Sequence, residues 1–225
     1  MDWTIIITAF TGLVLFLFGI QHLSKEIISA VGNTFRKLLE RFTSNRVKGA
    51  FLGAGVTAVI QSSIATIVIA TGLVNGGIIS FTQSLGIVIG ANVGTTLTAQ
   101  LVAFNVMSFA PIFLILGFLL SMFGKEKYKL LGKSVFYFGL VFFSLNLMSN
   151  ALIPIQENPQ VMAWLAQLSN VFIALAVGFL ITSVVQSSSV TTGIVVVLAS
   201  SGMITLPQGI PLLLGANIGS TLPII

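Results

Sequence analysis

Two short runs of uncharged polar residues, each present twice, carry the side chains whose types and spacing could do chemistry. Gln61-Ser62-Ser63 recurs as Gln186-Ser187-Ser188, followed by Ser189 in the second copy. Gly90-Ala91-Asn92-Val93-Gly94-Thr95-Thr96 recurs as Gly215-Ala216-Asn217-Ile218-Gly219-Ser220-Thr221. The offset is 125 residues for both runs, and residues 57–97 laid without gaps on 182–222 share 17 identities in 41 positions. This is an internal duplication, and a repeat constrains every later reading. Each run sits inside an apolar stretch, where Gln, Asn and Ser are tolerated at depth only if they line a buried site or cavity.

The chemistry such residues can do is ion binding. If the chain breaks at Gln-Ser-Ser and a new helix begins, its first backbone N–H groups lack intrahelical partners and carry partial positive charge. Ser62, Ser63 and Thr66 add hydroxyls in the first copy, and Ser187, Ser188, Ser189, Thr191 and Thr192 in the second. Two such tips would surround an oxyanion with donors, without Lys or Arg. None is available, because residues 49–124 and 134–225 contain no basic side chain. The two glycines of each Gly-Ala-Asn-x-Gly predict an unwound bend, so that freed carbonyls with Asn92, Thr95 and Thr96, or Asn217, Ser220 and Thr221, suit a hard cation. Pro207 and Pro211 support a broken helix in the second copy. Gln61 and Gln186 both donate and accept, so they could bridge cation and anion. A lone Gly or Ser is more simply a helix-packing residue in lipid. A duplicated Gln-Ser-Ser and Asn at fixed spacing points instead to a site, because buried amides are costly without a task.

The elements that must position these residues are membrane helices. The 225 residues are 56% hydrophobic and 7% charged, with a mean hydropathy of +1.08. Soluble domains carry roughly 25% charged residues. The absence of cysteine excludes disulfides and thiolate chemistry. The first residues do not read as a cleaved signal peptide. Residues 3–21 predict a first spanning helix. Residues 24–44 predict an amphipathic surface helix capped by Ser24, since Ile27, Ile28, Val31, Phe35, Leu38, Leu39 and Phe42 recur at helical spacing among charges. Three apolar stretches follow, 49–74, 78–104 and 107–123, divided at Asn75-Gly76-Gly77 and near Asn105. A spanning helix at 132–152 and a short amphipathic piece at 160–168 precede the second copy, 170–199 and 204–225.

All ten basic residues fall in two clusters, Lys25 to Lys48 and Lys125 to Lys133. This is a topology signal, not a nucleic-acid footprint, and it places residues 25–48 and 124–133 in the cytoplasm with the N-terminus outside. An even number of crossings must then separate the clusters, so one of the three apolar stretches returns to its own side. Residues 49–74 are the best candidate: arms of about 13 residues reach roughly 20 Å, short of a ~30 Å core. One crossing, 132–152, then brings the second hairpin in from the opposite face. The expected fold is an all-α, multi-pass membrane protein with inverted-topology repeats, each holding a re-entrant helical hairpin and a broken transmembrane helix. It reads as one transmembrane domain over 1–225.

The paired Gln-Ser-Ser-Ser and Gly-Ala-Asn-x-Gly-Ser/Thr-Thr motifs resemble those of the sodium/phosphate cotransporter family, which includes the animal type II cotransporters and bacterial relatives. The resemblance covers about 47–104 and 170–225. It implies a non-enzymatic, sodium-coupled carrier of inorganic phosphate in the cell membrane, with substrate and sodium bound where the hairpins meet and sodium as coupling ion, not cofactor. By match, Gln61, Ser62, Ser63, Gln186, Ser187, Ser188 and Ser189 fall in the phosphate and sodium site, flanked by Asn92, Thr95, Thr96, Asn217, Ser220 and Thr221. Two departures stand out. Ile64 replaces the third serine of the first motif. The sequence ends at Ile225, so the C-terminal part of repeat 2 is expected to be missing. A homodimer, or a soluble regulatory domain in a longer form, is left open.

Other residues are weaker candidates. His22, the one histidine, reads as interfacial, since metal sites need several donors. Asp2 and Glu157 read as solvated loop charges. Ser144, Asn146, Ser149 and Asn150 give residues 132–152 a polar stripe that suits helix packing. An intramembrane serine hydrolase would need a base beside one activated serine, and His22 is remote from both serine clusters in sequence. An ion channel and a non-transporting phosphate-sensing or assembly subunit are the competing functions.

Overall fold

The computed structural model describes residues 3–97, 100 and 106–222. Asp2 and the predicted break near Asn105 lie outside the described residues. Among the described residues every regular element is helical: α1 (Trp3–Phe42), α2 (Arg46–Ile60), α3 (Ser63–Asn75), α4 (Phe81–Thr95), α5 (Ala110–Phe123), α6 (Glu126–Leu152), α7 (Pro159–Ala166), α8 (Val171–Val185), α9 (Ser188–Ser200) and α10 (Leu206–Gly219). Trp3–Phe42 and Tyr128–Ile155 are long and apolar enough to cross a bilayer. Pro159–Ser169 and Val171–Val185 together pass the same test but are bent by 105°. Helices α2 and α3, of 15 and 13 residues, reach only about 20–23 Å each.

The duplication holds to the residue. Helices α8 and α9 begin and end 125 positions after α2 and α3, because the same local signals recur. Asn45 caps α2, its side chain accepting the Lys48 amide at 2.9 Å, and Asn170 caps α8 through the Phe172 amide at 3.0 Å. Helix α3 ends in Gly77 at φ 70° and α9 in Gly202 at φ 72°. In each, the next amide returns to a helix carbonyl, Ile78 to Leu73 and Met203 to Leu198, both at 2.9 Å. This is a Schellman closure, which needs a left-handed residue and so favours glycine. Capping boxes start α4 (Ser80 with Gln83) and α10 (Thr205 with Gln208).

The chain divides into two compact units. In His22–Thr98, α2 packs along α4 through glycines. A Cβ on Gly90 would strike the Ala50 carbonyl, one on Gly94 the Ala54 carbonyl, and one on Gly53 the Ile87 carbonyl. Leu39, Val56, Ile60, Leu73 and Ile87 form the buried centre of this unit, and the Gln83 amide donates to the Thr43 carbonyl at 2.8 Å. The other unit comprises Met1–Gln21 and Ala99–Ile225. There α8 packs along α10 by the same device, with Gly178 against Leu212, Gly215 against Leu175 and Gly219 against Phe179. Helix α5 lies on α6 where Gly117 meets Phe136 and Gly132 meets Leu120 and Ser121. Phe16 of α1, fully buried, abuts Gly193 of α9. Ser144 turns its hydroxyl to the Leu140 and Val141 carbonyls, both at 2.8 Å, so the polar stripe of α6 serves packing at that position.

Two expectations are corrected. Ser24 caps nothing, because α1 runs unbroken from Trp3 to Phe42; no proline or glycine interrupts Gln21-His22-Leu23-Ser24, and a serine caps only where the backbone leaves the helix. The predicted amphipathic helix at 24–44 is thus the second half of α1. The broken transmembrane helix at Gly-Ala-Asn-x-Gly is also absent: Gly90–Gly94 and Gly215–Gly219 are helical throughout, and Pro211 sits inside α10 without ending it. Glycines four apart share one helix face, and here that face allows close backbone approach. Gly90→Leu and Gly215→Leu should each destabilise by about 1–3 kcal/mol through overpacking. Gly55→Leu, which has nothing within 4 Å, should leave the thermal unfolding midpoint in micelles unchanged. Equal losses at all three positions would contradict this packing.

Candidate functional site: two helix breaks with left-handed glutamines

Helix α2 ends at Gln61, whose backbone is left-handed at φ 59° and ψ 24°. Its amide donates to the Thr57 carbonyl at 2.7 Å, and its side-chain Nε2 donates to the Ala58 carbonyl at 2.5 Å. Ser62 is then extended and caps α3, with Oγ accepting the Ala65 amide at 3.2 Å. The second copy repeats this: Gln186 has φ 57° and ψ 29°, its amide meets the Thr182 carbonyl at 2.6 Å, and extended Ser187 precedes α9. Among the described residues, these are the two non-glycines at positive φ. The conformation costs an L residue roughly 1–2 kcal/mol, and glycine would take it freely. A glutamine at both places therefore points to a use for the side-chain amide.

A buried strap closes each break. The Thr57 hydroxyl donates to that of Thr66 at 2.8 Å, and Thr66 donates onward to the Ser62 carbonyl at 3.2 Å. Thr182 and Thr191 are paired likewise at 2.6 Å, and all four threonines are buried. Thr66 and Thr191, expected to face the anion, thus tie α3 to α2 and α9 to α8. Thr57 and Thr182 were not singled out from the sequence. The signal was available, since they are identical in the two copies and stand four residues before the glutamine.

The remaining predicted residues collect beside the same breaks. Ser63, Ser188, Ser189 and Thr192 are buried in the first turns of α3 and α9, and Ser62, Ser187 and Gln61 are half-buried, with Gln186 exposed. Gly94 would place a Cβ 2.8 Å from Thr57 Cβ, and Gly219 one 3.1 Å from Thr182 Cβ. The C-terminal turn of α4 therefore lies against the end of α2, and that of α10 against the end of α8. That turn holds half-buried Asn92 and Asn217, buried Thr95 and Ser220, and exposed Thr96 and Thr221. Thr95, Thr96, Ser220 and Thr221 donate to the carbonyls of Asn92, Val93, Asn217 and Ile218 at 2.7–2.8 Å. Within each unit, one helix N-terminus and two helix C-termini converge. Helix-start amides with partial positive charge thus stand next to helix-end carbonyls with partial negative charge. Among the described residues no group of three His, Cys, Asp or Glu gathers to hold a metal.

These features define a helical membrane protein built on an internal duplication, with polar, strapped helix breaks as its candidate site. A match to the Na+/Pi-cotransporter family covers residues 15–150 and 157–225. The chain belongs to that family. It is 32% identical over 218 residues to "Uncharacterized protein YqeW" of Bacillus subtilis, covering 96% of this chain and 71% of that protein. It is 28% identical over 211 residues to "Putative inorganic phosphate export protein YjbB" of Salmonella typhimurium, covering 92% of this chain and 39% of the relative. A 97-residue stretch, 41% of this chain and 14% of the relative, is 35% identical to the human "Sodium-dependent phosphate transport protein 2B". No solved structure matches the chain.

The strap predicts a coupled pair. Thr57→Val and Thr66→Val should each cost about 1–3 kcal/mol by leaving a buried partner short of a hydrogen bond. The double variant should cost clearly less than their sum in a double-mutant cycle on the unfolding midpoint. Additive losses would show that the hydroxyls act separately.

Proposed function

We propose that the chain carries inorganic phosphate across the cell membrane together with sodium. The observation behind this reading is the left-handed glutamine followed by an extended serine and a helix N-terminus, present twice. In this reading phosphate takes its donors from the first amides of α3 and α9 and from Ser62, Ser63, Ser187, Ser188 and Ser189. Sodium takes oxygens from the C-terminal turns of α4 and α10 and from the Gln61 and Gln186 side chains, near Asn92, Thr95, Thr96, Asn217, Ser220 and Thr221. The cation offsets the charge of the anion, so each binds well only with the other. No lysine or arginine is required.

Alternating access between inverted repeats is the mechanism proposed, with both hairpins re-entrant and the basic residues 25–48 and 124–133 cytoplasmic. The shortness of α2 and α3 supports re-entry. Sodium coupling is supported by the family and by the mammalian relative's name. The Salmonella relative's name specifies export, so flux is to be read in both directions.

The test is labelled phosphate flux in proteoliposomes with and without a sodium gradient. Phosphate should accumulate only with the gradient. Gln61→Gly and Gln186→Gly, which remove the amide but suit the left-handed turn, should each lower sodium-driven flux by about tenfold or more, as expected for losing a hydrogen bond to a charged group. Wild-type flux in both variants would overturn the site. Downhill phosphate flux without sodium coupling would indicate a channel, and binding without flux a sensing or assembly subunit.

A further inference from the structure

The two copies of the repeat share a backbone but differ at one end of one face. Along α2 and α4 runs an apolar groove of 490 Å³, walled by Ala50, Phe51, Ile89, Gly90 and Val93, with Arg46, the first residue of α2, also lining it. Phe51, Ile89 and Val93 are exposed. Gly86 and Gly90, where a side chain would run into the backbone of Arg46 and Ala50, keep the groove floor low. Arg46 is the first residue of α2, followed by exposed Lys48. In the second copy the first residue of α8 is Val171, position 173 is isoleucine, and the outer face of α8 and α10 is apolar throughout, with Phe172, Ile210, Leu214 and Ile218 exposed.

An apolar channel ending in a cation has the chemistry of a phospholipid: hydrocarbon along the walls and phosphate on the guanidinium. Arg suits that partner better than Lys, because its planar fork matches two phosphate oxygens at once. From Arg46 to Ala54 the lined part of α2 covers about 12 Å, long enough for much of an acyl chain within one leaflet of a ~30 Å core. Arg46 also belongs to the basic cluster expected on the cytoplasmic face, where anionic lipids are concentrated.

We propose that the α2–α4 groove is a binding site for one anionic phospholipid, with its phosphate on Arg46, and that the equivalent face of α8 and α10 has no such preference. Arg46 lies at the opposite end of α2 from the break at Gln61, and the proposal does not depend on what the chain transports. One consequence is that the first repeat sits against a particular lipid while the second faces bulk lipid.

The test uses the full chain with Trp3 and Trp164 replaced by Phe and a single reporter, Phe51→Trp or Phe172→Trp, reconstituted into phosphatidylcholine vesicles. Quenching by dibrominated phosphatidylglycerol is compared with quenching by dibrominated phosphatidylcholine. At Phe51→Trp the anionic lipid should be preferred by roughly fivefold, as one basic residue at a charged interface provides. The preference should vanish with Arg46→Gln. At Phe172→Trp there should be none until Val171→Arg is added, which should create it. Arg46 is exposed, so the Gln variant removes charge without emptying a core. Equal quenching by the two lipids at Phe51→Trp, or a preference that survives Arg46→Gln, overturns the proposal. So does the absence of quenching by either lipid, which would mean that protein, such as a second copy of the chain, covers the groove.

Discussion

An interrupted helix frees amides and carbonyls that its own hydrogen-bond ladder no longer satisfies, and this chain contains that interruption twice. The way the breaks are closed governs the surrounding structure. At each, the glutamine backbone turns left-handed and returns its amide to the helix it has just left. The following serine starts the next helix from an extended conformation. A pair of buried threonines joins the two arms. What is left over is small and directed: a few N-terminal amides beside several hydroxyls.

The glycines make the break possible in a different way. Gly53, Gly90 and Gly94, with Gly178, Gly215 and Gly219, bring helix backbones together until a single methyl would collide with a carbonyl. In lipid there is little hydrophobic drive between helices, so close van der Waals contact of small residues has to supply the adhesion. The same contacts carry the C-terminal turn of α4 to the end of α2, and that of α10 to the end of α8. Each break thus acquires negative helix ends beside its positive one. A membrane site assembled from opposed partial charges can hold a cation and an anion side by side without any ionised side chain, and that suits the coupled transport proposed for this family member.

The differences between the copies are as informative as the likeness. Ile64 stands where the second copy has Ser189, so the first α3 turn offers one hydroxyl fewer. Arg46 stands where the second has Val171. One backbone plan therefore carries different side chains at its margins.

The sequence by itself determined the membrane class, the duplication and the helix breaks at Gln61 and Gln186. Those features are local or compositional: hydropathy, the glycine turns at Gly77 and Gly202, and polar Gln-Ser-Ser runs repeated at a fixed offset within apolar stretches. It also carried the family, through two paired motifs at fixed spacing. It misread Ser24 and the Gly-Ala-Asn-x-Gly run, because a serine or a pair of glycines fits a cap or bend as well as a helix interior. Only the packing partner decides between them. Tertiary structure decided that those glycines are contact surfaces, that Thr66 and Thr191 reach back to Thr57 and Thr182, and that the end of α4 lies against the end of α2. Each depends on which residues distant along the chain approach one another, and neither periodicity nor spacing records that distance.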